Sequence, residues 1–383
     1  MKKKIACFIM KIMARLSAKD VIIFESFFGK QLSDSPKALY DYMKNAKAYQ
    51  HYRLIWSVKA SFEPVFVASG CEFVRRGSFK WIMLMARARY WVNNTRQPDW
   101  LVKNSQTTYL QTWHGTPLKK LGTDIEEVTM PGTTTANYRV NFTRDTKKWD
   151  VLLAQNDYAA NVFERAFQVD SNRIITTGYP RNDRLSNYKV AEVKAIKERL
   201  KLPCNKKIIL YAPTWKDNQS YRRGKYKAFL EFDLKTMHAE LGKDYIVLIK
   251  WHYLIADHLT IPAEYDQFAI KVPQTIDINE YFLISDILIT DYSSVFFDYA
   301  ILKRPIIFFT PDWDAYQNEI RGIYPEISAA LPGIMVQTTA DLIRAIRLEK
   351  EPSTAFYDRF CYLEDGLATA RVVASVFTKN DEL

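Results

Sequence analysis

The feature that most restricts the fold of this chain is a regular alternation of short β-rich runs with helical patterns along almost its whole length. Strands that alternate with helices form parallel sheets, because each helix returns the chain to the start of the next strand. In the first half, the runs typical of strands are DVIIFES (20–26), YRLIWSV (52–58), ARYWVNN (88–94), TTYLQTW (107–113), DVLLAQN (150–156) and RIITTGYP (173–180). The pattern predicts an α/β fold with helices on both faces of a parallel sheet.

The pattern starts again after a charged helical segment, residues 189–203. The later runs typical of strands are KIILYAP (207–213), DYIVLIKW (244–251), QFAIKVP (267–273), DILITDY (286–292) and RPIIFFT (304–310). A chain of 383 residues is long for one hydrophobic core. We therefore predict two α/β domains, residues 20–187 and 188–365, followed by a helical segment, 366–383, that packs back towards the first domain.

The first 19 residues have the pattern of a separate helix. They begin like a signal peptide, but Lys11 and Arg15 interrupt the apolar run and no cleavage site is convincing. Six apolar residues recur at helical spacing, namely Ile5, Phe8, Ile9, Ile12, Met13 and Leu16. We predict a basic amphipathic helix that lies on an anionic membrane surface. The alternative is a helix docked on the protein's own core.

A second apolar segment, residues 77–91, is flanked by arginines and contains Trp81 and Trp91. It is open to two interpretations, a buried helix or a helix that faces lipid. No run of 18 apolar residues indicates a transmembrane helix. The four cysteines are far apart and show no metal-ligand spacing, so we expect reduced, mostly buried thiols and no zinc site.

The formal net charge of +11 favours acidic partners, which include nucleic acid, anionic lipid and phosphorylated substrates. No nucleic-acid-binding motif is present, and the basic residues concentrate near the N-terminus and at predicted strand ends, so we expect no nucleic acid partner. The chain also has no Walker A sequence and no GxGxxG fingerprint. These absences argue against a P-loop enzyme and a dinucleotide-dependent dehydrogenase.

Candidate functional residues follow the predicted strands, at the edge where open parallel sheets bind ligands. His114 follows TTYLQTW, and its ordinary pKa near 6.5 suits a general base that acts on a hydroxyl. Gly115 allows a ligand to approach the backbone closely. In the second half, the run DYIVLIK ends at Lys250, and His252 follows two residues later; both suit contact with a phosphate. A hydrogen-bonded turn histidine and a solvent-exposed lysine are the structural alternatives.

Other strand ends carry groups that suit anions. Ser293 and Ser294 follow Asp291 and begin a predicted helix, whose free N–H groups could bind a phosphate or could merely be capped. The remaining candidates are Thr214 and Lys216 after KIILYAP, and Arg181 and Asn182 in GYPRND. Arginine suits bidentate contact with phosphate.

The order of motifs resembles the CDP-glycerol glycerophosphotransferase family of teichoic acid synthesis. The motifs are SFFGKQLSDSPKALYDYM, TWHGTPLKKLG, GYPRND, YAPTWKD, ITDYSSVFFDYAILKRPIIFF and FCYLEDGLA. The likeness extends from about residue 20 to about 378, and the HGTPLK and TDYSS elements are its most specific parts. Within the family, the chain looks most like the compact type that adds glycerol phosphate to a primed linkage unit, because the long polymerases carry an extra N-terminal region.

This resemblance implies a GT-B type fold, with two Rossmann-like domains that face each other across a cleft. It also implies that CDP-glycerol is held mainly by the C-terminal half. His114 matches the histidine that acts as general base, and His252 matches a second histidine at the donor diphosphate. The residues that would line the substrate site are Gly115, Thr116, Lys119, Arg181, Asn182, Thr214, Lys216, Lys250, Asp291, Ser293, Ser294 and Asp298. No tightly bound cofactor is expected, although Mg²⁺ could bridge the donor phosphates.

The implied activity is transfer of sn-glycerol 3-phosphate from CDP-glycerol to an undecaprenyl-diphosphate-linked glycerophosphate–ManNAc–GlcNAc acceptor, with release of CMP. Such an enzyme would be peripheral at the cytoplasmic face of the membrane, as a homo-oligomer or beside other teichoic acid enzymes. The alternatives are a primase for the bare disaccharide, a poly(glycerol phosphate) polymerase, and a transferase that uses CDP-ribitol or a nucleotide sugar. A non-catalytic membrane scaffold is a rival of another class, and it would bind no CDP-glycerol.

Overall fold

Two parallel sheets organise the chain. The computed structural model describes residues 2–128, 132–214, 220–222, 225–226, 230–251, 260–273, 275–313 and 322–377. The strands, in chain order, are β1 (Lys19–Glu25), β2 (Arg53–Val58), β3 (Phe73–Arg75), β4 (Ala88–Asn93), β5 (Thr108–Gln111), β6 (Val151–Ala154), β7 (Ile174–Thr176), β8 (Lys207–Tyr211), β9 (Ser220–Arg222), β10 (Lys225–Tyr226), β11 (Tyr245–Ile249), β12 (Ala269–Lys271), β13 (Ile287–Thr290), β14 (Ile306–Phe309) and β15 (Ile334–Val336). The predicted α/β class is confirmed.

Helices connect most of these strands. In chain order they are α1 (Lys2–Met13), α2 (Asp34–Asn45), α3 (Glu63–Ala68), α4 (Phe79–Arg87), α5 (Thr135–Thr146), α6 (Asp157–Phe167), α7 (Asp183–Asn187), α8 (Val190–Arg199), α9 (Leu234–Leu241), α10 (Ile278–Ile284), α11 (Val295–Tyr299), α12 (Pro325–Ser328), α13 (Thr339–Leu348), α14 (Thr354–Phe360) and α15 (Ala368–Val376). Several begin with a side-chain cap; for example, Asn156 accepts from the Ala159 N–H at the start of α6. No described helix has the length and apolar character needed to span a bilayer.

The chain divides into two compact units. Unit 1 comprises Met1–His114, Ala136–Asp183 and Leu363–Leu383, and unit 2 comprises Gly115–Thr135 and Arg184–Tyr362. The chain therefore passes from unit 1 to unit 2 at the peptide bond between His114 and Gly115. Contacts made by the segment 115–128 with unit 2, such as the backbone pairing of Lys119 with Ile323, explain its assignment there.

Unit 1 contains the sheet β3-β2-β1-β4-β5-β6-β7, with every neighbouring pair parallel. The strand order reverses between β1 and β4, and such a switch point creates a crevice at the carboxyl ends of the two strands. One buried core cluster includes Trp56, Tyr90 and Leu110 from this sheet. Helix α15 completes this core, because Val372, Val376 and Phe377 pack into the same cluster.

Unit 2 contains the parallel sheet β12-β11-β8-β13-β14-β15 and an antiparallel pair, β9 and β10. Its order reverses between β8 and β13, so the carboxyl ends of these two strands form the switch point. The central strands β8, β11, β13 and β14 are almost fully buried, and their aliphatic residues pack with Met237 and Leu241 of α9 and with Ile346 of α13. A continuous apolar run is expected for a parallel strand that is covered on both faces.

The N-terminal segment combines the two interpretations that the sequence left open. Helix α1 packs against α4 and buries Met10 completely. Ile5, Phe8, Ile12 and Leu16 nevertheless remain exposed. At about 100° per residue, this apolar stripe lies beside the exposed basic residues rather than opposite them. The helix is thus docked by one side and leaves a mixed apolar and basic face in solvent.

The structure favours one of the two interpretations of residues 77–91 and corrects the expectation that the cysteines are mostly buried. Trp81 of α4 and Trp91 of β4 are buried, so neither faces lipid; Trp81 donates to Ser57 and Trp91 donates to the Met85 carbonyl. A buried helix followed by a strand accounts for the segment 77–91. The four cysteines are free, as expected, but only Cys361 is buried. Cys7 within α1 and Cys71 in the loop before β3 are partly buried, and Cys204 in the loop before β8 is exposed.

Candidate active site

In unit 1, the most distinctive cluster of polar groups lies at the switch point between β1 and β4. Ser26 and Phe27 follow β1, Asn94 follows β4, and His114 comes three residues after the end of β5. The predicted strand through Trp113 ends early, at Gln111, because Trp113 has a φ of +53°. A strand cannot continue through a left-handed residue, so the chain turns and places His114 at the edge of the sheet.

The His114 imidazole is held in one orientation. Its Nδ1 lies 2.7 Å from the Asn94 carbonyl oxygen, and since a carbonyl can only accept, Nδ1 must carry the proton. The ring stacks on Trp113, with centroids 4.4 Å apart, and Phe27 presents an edge to it at 6.1 Å. Nε2 is therefore the unprotonated nitrogen in the neutral ring, and it makes no hydrogen bond to any described residue.

The surroundings lower the pKa of His114. Protein atoms crowd most of the ring and desolvate its charged form, which is the largest cause. The hydrogen bond to Asn94 and the charge of Asp34 oppose this lowering, whereas the charges of Arg181 and Arg96 add to it. His114 is a solvent-exposed residue, so desolvation is incomplete and the lowering of its pKa is smaller than full burial would give. The neutral, basic form is favoured at physiological pH.

A buried ion pair, Asp34 with Arg181, helps to hold Asn94 in place beside His114. The Asp34 carboxylate accepts from Arg181 Nη1 at 3.2 Å and from Asn94 Nδ2 at 3.0 Å. The Asn94 side chain also accepts the Phe27 N–H at 2.9 Å. Asn94, whose carbonyl orients His114, is thus held by the hydrogen bonds of its own side chain, one of which goes to the Asp34 carboxylate of the ion pair.

Backbone strain concentrates around the same cluster. Phe27, Phe28, Asp34 and Trp113 all have positive φ, between +47° and +66°. Non-glycine residues adopt this region at a cost, and such residues gather at functional sites where the fold enforces them. Four non-glycine residues of this kind in one neighbourhood are a structural sign that this part of unit 1 has a function.

Sequence reasoning missed Asp34, Asn94 and Arg96 in this cluster. The run NNTRQ (93–97), a series of polar residues directly after β4, was the signal that could have revealed two of them. Asp34 is the first residue of α2. Its second role depends on Arg181, a residue 147 positions away.

Unit 2 gathers predicted residues at its own switch point. Thr214 follows β8, Asp291 follows β13, and the Asp291 carboxylate accepts the Thr214 N–H at 2.8 Å. Lys119 reaches the same place and donates from Nζ to the Thr214 hydroxyl at 3.3 Å. Asp291 and Thr116 are both buried. The segment that follows His114 in sequence is thus part of the ligand edge of unit 2.

Gly115 packs against the predicted phosphate-binding turn. A Cβ added at this residue would lie 2.7 Å from Ser294 Oγ, so the backbone here and the serine hydroxyl are in close contact. The helix that was expected to begin at Ser293 or Ser294 begins at Val295, with Ser294 as the N-cap. It has five residues, and Ser294 makes no side-chain cap, so the dipole of a long helix is not available there.

Other predicted residues have structural partners. Lys250 is buried and donates from Nζ to the carbonyls of Pro273 and Ile276, and burial lowers its pKa to about 8.

Asp298 is buried in α11. Arg181 and Asn182 belong to unit 1, and Asn182 donates to Glu364. Their contact with the donor stays a prediction. His252 and Lys216 lie outside the described residues.

Within the described residues, no group of three or more His, Cys, Asp or Glu side chains is arranged to hold a metal ion.

Comparison with known proteins gives consistent matches. The model of the CDP-glycerol:poly(glycerophosphate) glycerophosphotransferase family matches residues 7–378. A teichoic acid glycerol-phosphate transferase of Staphylococcus aureus is 44% identical over 376 residues, which are 96% of this chain and 95% of that protein. A teichoic acid poly(glycerol phosphate) polymerase of Bacillus subtilis is 46% identical over 367 residues, but the chain spans only 49% of its length.

Solved structures agree with these matches. The wall teichoic acid polymerase TagF has a TM-score of 0.86 and 41% sequence identity, and the match covers 98% of this chain and 92% of that one. A histidine-to-asparagine variant of TagF soaked with CDPG has a TM-score of 0.87 at the same identity. The fold therefore resembles that of TagF, a GT-B-like fold.

Proposed function

The chain belongs to the CDP-glycerol:poly(glycerophosphate) glycerophosphotransferase family, and from this premise we propose that it transfers sn-glycerol 3-phosphate from CDP-glycerol to a lipid-linked acceptor that already carries glycerol phosphate. The acceptor is the undecaprenyl-diphosphate-linked glycerophosphate–ManNAc–GlcNAc unit, and CMP is the second product. The family and its relatives are enzymes of this chemistry, so the proposal concerns the acceptor, the number of units added and the roles of the residues.

The observation that carries the proposal is the orientation of His114. With Nδ1–H donated to the Asn94 carbonyl, the lone pair of Nε2 is free to take the proton of an acceptor hydroxyl. The acceptor oxygen then attacks the phosphorus that bears glycerol, and the bond from this phosphorus to the CMP oxygen breaks. CMP leaves with the electron pair, and the new bond is a phosphodiester. Positioning and charge neutralisation account for most of the catalysis in such transfers.

We assign donor binding to the switch point of unit 2. Ser293, Ser294, Thr214 and Lys119 provide hydroxyl groups and a cation for the diphosphate, and Gly115 lets the ligand approach the backbone. Thr116 and Asp291 hold this part in place, since both are buried. The same proposal includes three roles that come from the sequence. His252 and Lys216 would contact the diphosphate, and Lys250 and Asp298 would be further lining residues. Mg²⁺ would be carried by the donor as a bridging ion.

We propose a peripheral position at the cytoplasmic face of the membrane, where a lipid-linked acceptor is accessible. The exposed stripe Ile5, Phe8, Ile12 and Leu16, beside Lys4, Lys11 and Arg15, supports this position. Apolar side chains beside lysine and arginine suit the headgroup region of an anionic leaflet. Association with a second copy or with other teichoic acid enzymes is part of the same expectation.

Polymerisation is the second candidate function. The chain is 47% identical to a poly(glycerol phosphate) polymerase of Bacillus spizizenii and covers 91% of its length. Transferase and polymerase use the same donor and the same bond chemistry, and they differ in how often the product is used again as acceptor.

A purified full-length chain should be assayed with CDP-glycerol and two lipid-linked acceptors, the bare disaccharide and the disaccharide that carries one glycerol phosphate. CMP release and product mass are measured together. Addition of one or a few units to the primed acceptor supports the proposal, and long products identify a polymerase. Transfer to the bare disaccharide alone identifies a primase, and turnover only with CDP-ribitol or a nucleotide sugar would contradict the donor assignment.

A further inference from the structure

Arg96 is a cation beside the candidate base that neither the sequence motifs nor the proposed mechanism uses. It lies two residues after Asn94, in the polar run that follows β4. Its guanidinium stands 4.6 Å from the centroid of the Phe142 ring and 6.0 Å from that of Tyr138. The side chain is half-buried, so the aromatic rings hold a charged group that solvent still reaches.

No acidic group of the described residues forms an ion pair with this guanidinium. Among the described residues, Arg96 makes no hydrogen bond and no ion pair within 4.0 Å. The carboxylate of Asp145 acts on it electrostatically from a longer distance, and Asp145 itself interacts with Lys148 and with the indole N–H of Trp149. A half-buried arginine that is fixed by packing, with its five N–H donors unused by any described residue, is suited to bind an anion.

Arg96 and His114 share one aromatic support within unit 1. His114 stacks on Trp113, the Trp113 ring lies 6.4 Å from that of Phe142, and Arg96 stands over Phe142. Backbone connectivity links them as well, because the Asn94 carbonyl that orients His114 is two residues from Arg96. The two side chains are close enough for the charge of Arg96 to act on the imidazole.

We propose that Arg96 binds the phosphodiester already present on the acceptor and so selects a primed acceptor over a bare one. This inference rests on the proposed function. A hydroxyl on a terminal glycerol phosphate is separated from its phosphate by only a few bonds, so a base that takes the hydroxyl proton and a guanidinium that binds the phosphate must be neighbours. A bare disaccharide offers no anion at this distance and gains nothing from Arg96.

Arginine rather than lysine suits this role. A phosphodiester presents two unesterified oxygens, and the planar guanidinium can donate to both at once. The rings of Phe142 and Tyr138 restrict its orientation, so less freedom is lost when the acceptor binds. The donor phosphates are assigned to residues of unit 2, which makes the acceptor the expected partner of a cation in unit 1.

The test compares wild type, Arg96→Gln and Arg96→Lys with the primed and bare acceptors on the same lipid, at saturating CDP-glycerol. Arg144→Gln, which removes an exposed cation from α5, is the matched control. We expect Arg96→Gln to lower kcat/KM for the primed acceptor roughly 10- to 100-fold, the loss typical of a hydrogen bond to a charged group. At a pH above the acid limb set by His114, the KM for CDP-glycerol and turnover of the bare acceptor should stay unchanged, and Arg96→Lys should recover part of the loss.

A soluble diester, glycerol–phosphate–glycerol, gives a readout that needs no turnover of the bare acceptor. The diester should inhibit wild type and Arg144→Gln competitively with the acceptor. Its inhibition of Arg96→Gln should be weak, about as weak as the inhibition of wild type by glycerol, which has no phosphate. Equal loss with both acceptors, equal inhibition of wild type and Arg96→Gln by the diester, or a raised KM for CDP-glycerol would overturn the inference. A wild type that transfers glycerol phosphate to no acceptor would instead overturn the proposed function.

Discussion

Arg181 and Asp34 form an ion pair that is almost completely buried, with Nη1 and Oδ1 3.2 Å apart and each side chain 6% exposed. The pair joins the start of α2 to the segment before α7, 147 positions apart in sequence. Because Asn94 donates to the same carboxylate, the ion pair fixes the residue whose carbonyl orients His114. The sequence motifs predicted that Arg181 contacts the donor, and in the structure its guanidinium forms an ion pair with Asp34 of unit 1.

Removal of one partner of this pair should destabilise unit 1. In Arg181→Met the Asp34 charge stays buried without its cation, and the free energy of unfolding should fall by about 3–5 kcal/mol. The double variant Asp34→Asn with Arg181→Met should recover part of this loss, since no buried charge is then left unpaired. Urea denaturation of the three proteins measures the effect. A loss below about 1 kcal/mol, together with a raised KM for CDP-glycerol, would return Arg181 to the donor site.

His114→Ala should lower kcat by about 10²- to 10⁴-fold, the usual contribution of a general base. His51→Ala, in an exposed position of the same unit, is the control and should be fully active. Circular dichroism should show both variants folded. Near-normal turnover of His114→Ala would remove the assignment.

The pH profile of the wild type provides a second readout of the same prediction. The pKa of His114 is lowered, so the neutral ring persists as pH falls, and the acid limb of kcat/KM should lie below about 6.5. The groups that act on the ring are the Asn94 carbonyl and the charges of Asp34, Arg181 and Arg96. Since Arg96 lowers the pKa, Arg96→Gln should move the acid limb to higher pH.

Gly115 and Ser294 should show strong coupling. The added methyl group of Gly115→Ala would lie 2.7 Å from Ser294 Oγ, and the hydroxyl is the group that can rotate away. If this hydroxyl binds the donor, Gly115→Ala and Ser294→Ala should raise the KM for CDP-glycerol to a similar extent. The double variant should be no worse than Ser294→Ala alone. Additive effects in this double-mutant cycle would show that the contact and the hydroxyl act independently.

Lys250 should contribute to stability rather than to donor binding. Lys250→Met leaves the carbonyls of Pro273 and Ile276 without their donor, at a cost of about 1–3 kcal/mol. The folded-state pKa is lowered from 10.5 to about 8, so the unfolded chain binds more protons between these values. The stability of wild type relative to Lys250→Met should therefore increase as pH rises through this range. An unchanged stability with a raised KM for CDP-glycerol would favour the donor role.

The exposed face of α1 should bind anionic vesicles. Lys11→Ala should weaken binding to phosphatidylglycerol vesicles by about 1 kcal/mol, roughly fivefold. Phe8→Glu should weaken vesicle binding further. Phe8 is 64% exposed in the protein, so its ring is free to enter the membrane, and the substitution replaces this apolar ring by a charge. Val190→Glu, at an exposed position of unit 2, is the control. Sedimentation with vesicles measures binding, and equal binding by all four proteins would contradict a role of α1 at the membrane.

The fold class was predictable because buried parallel strands give continuous apolar runs, which sequence shows directly. Two of the strands that were missed, β3 and β15, have three residues each and lie at sheet edges. The other two, β9 and β10, form a separate antiparallel pair of three and two residues. Met335 of β15 and Arg75 of β3 are exposed, so no apolar run marks these edge strands. Short edge strands depend on their neighbours rather than on their own composition.

The candidate site was predictable only where polar residues follow a strong strand, as at His114, Thr214 and Asp291. The contributions of Asp34 and Asn94 depend on partners distant in sequence, which one sequence does not reveal. The same holds for residues 115–135, whose assignment to unit 2 follows from pairings such as Lys119 with Ile323. A left-handed tryptophan at position 113 is likewise imposed by tertiary packing, because no local propensity favours it.

The position of α15 has a consequence for biosynthesis. Phe377 lies 4.5 Å from the Tyr90 ring, and Val372 and Val376 fill the same core of unit 1. During translation, α15 is therefore synthesised only after all of Arg184–Tyr362 has been synthesised. Unit 2 can mature while the nascent chain is still growing, whereas the half that bears His114 must wait, with Tyr90 uncovered, until residues 368–377 emerge.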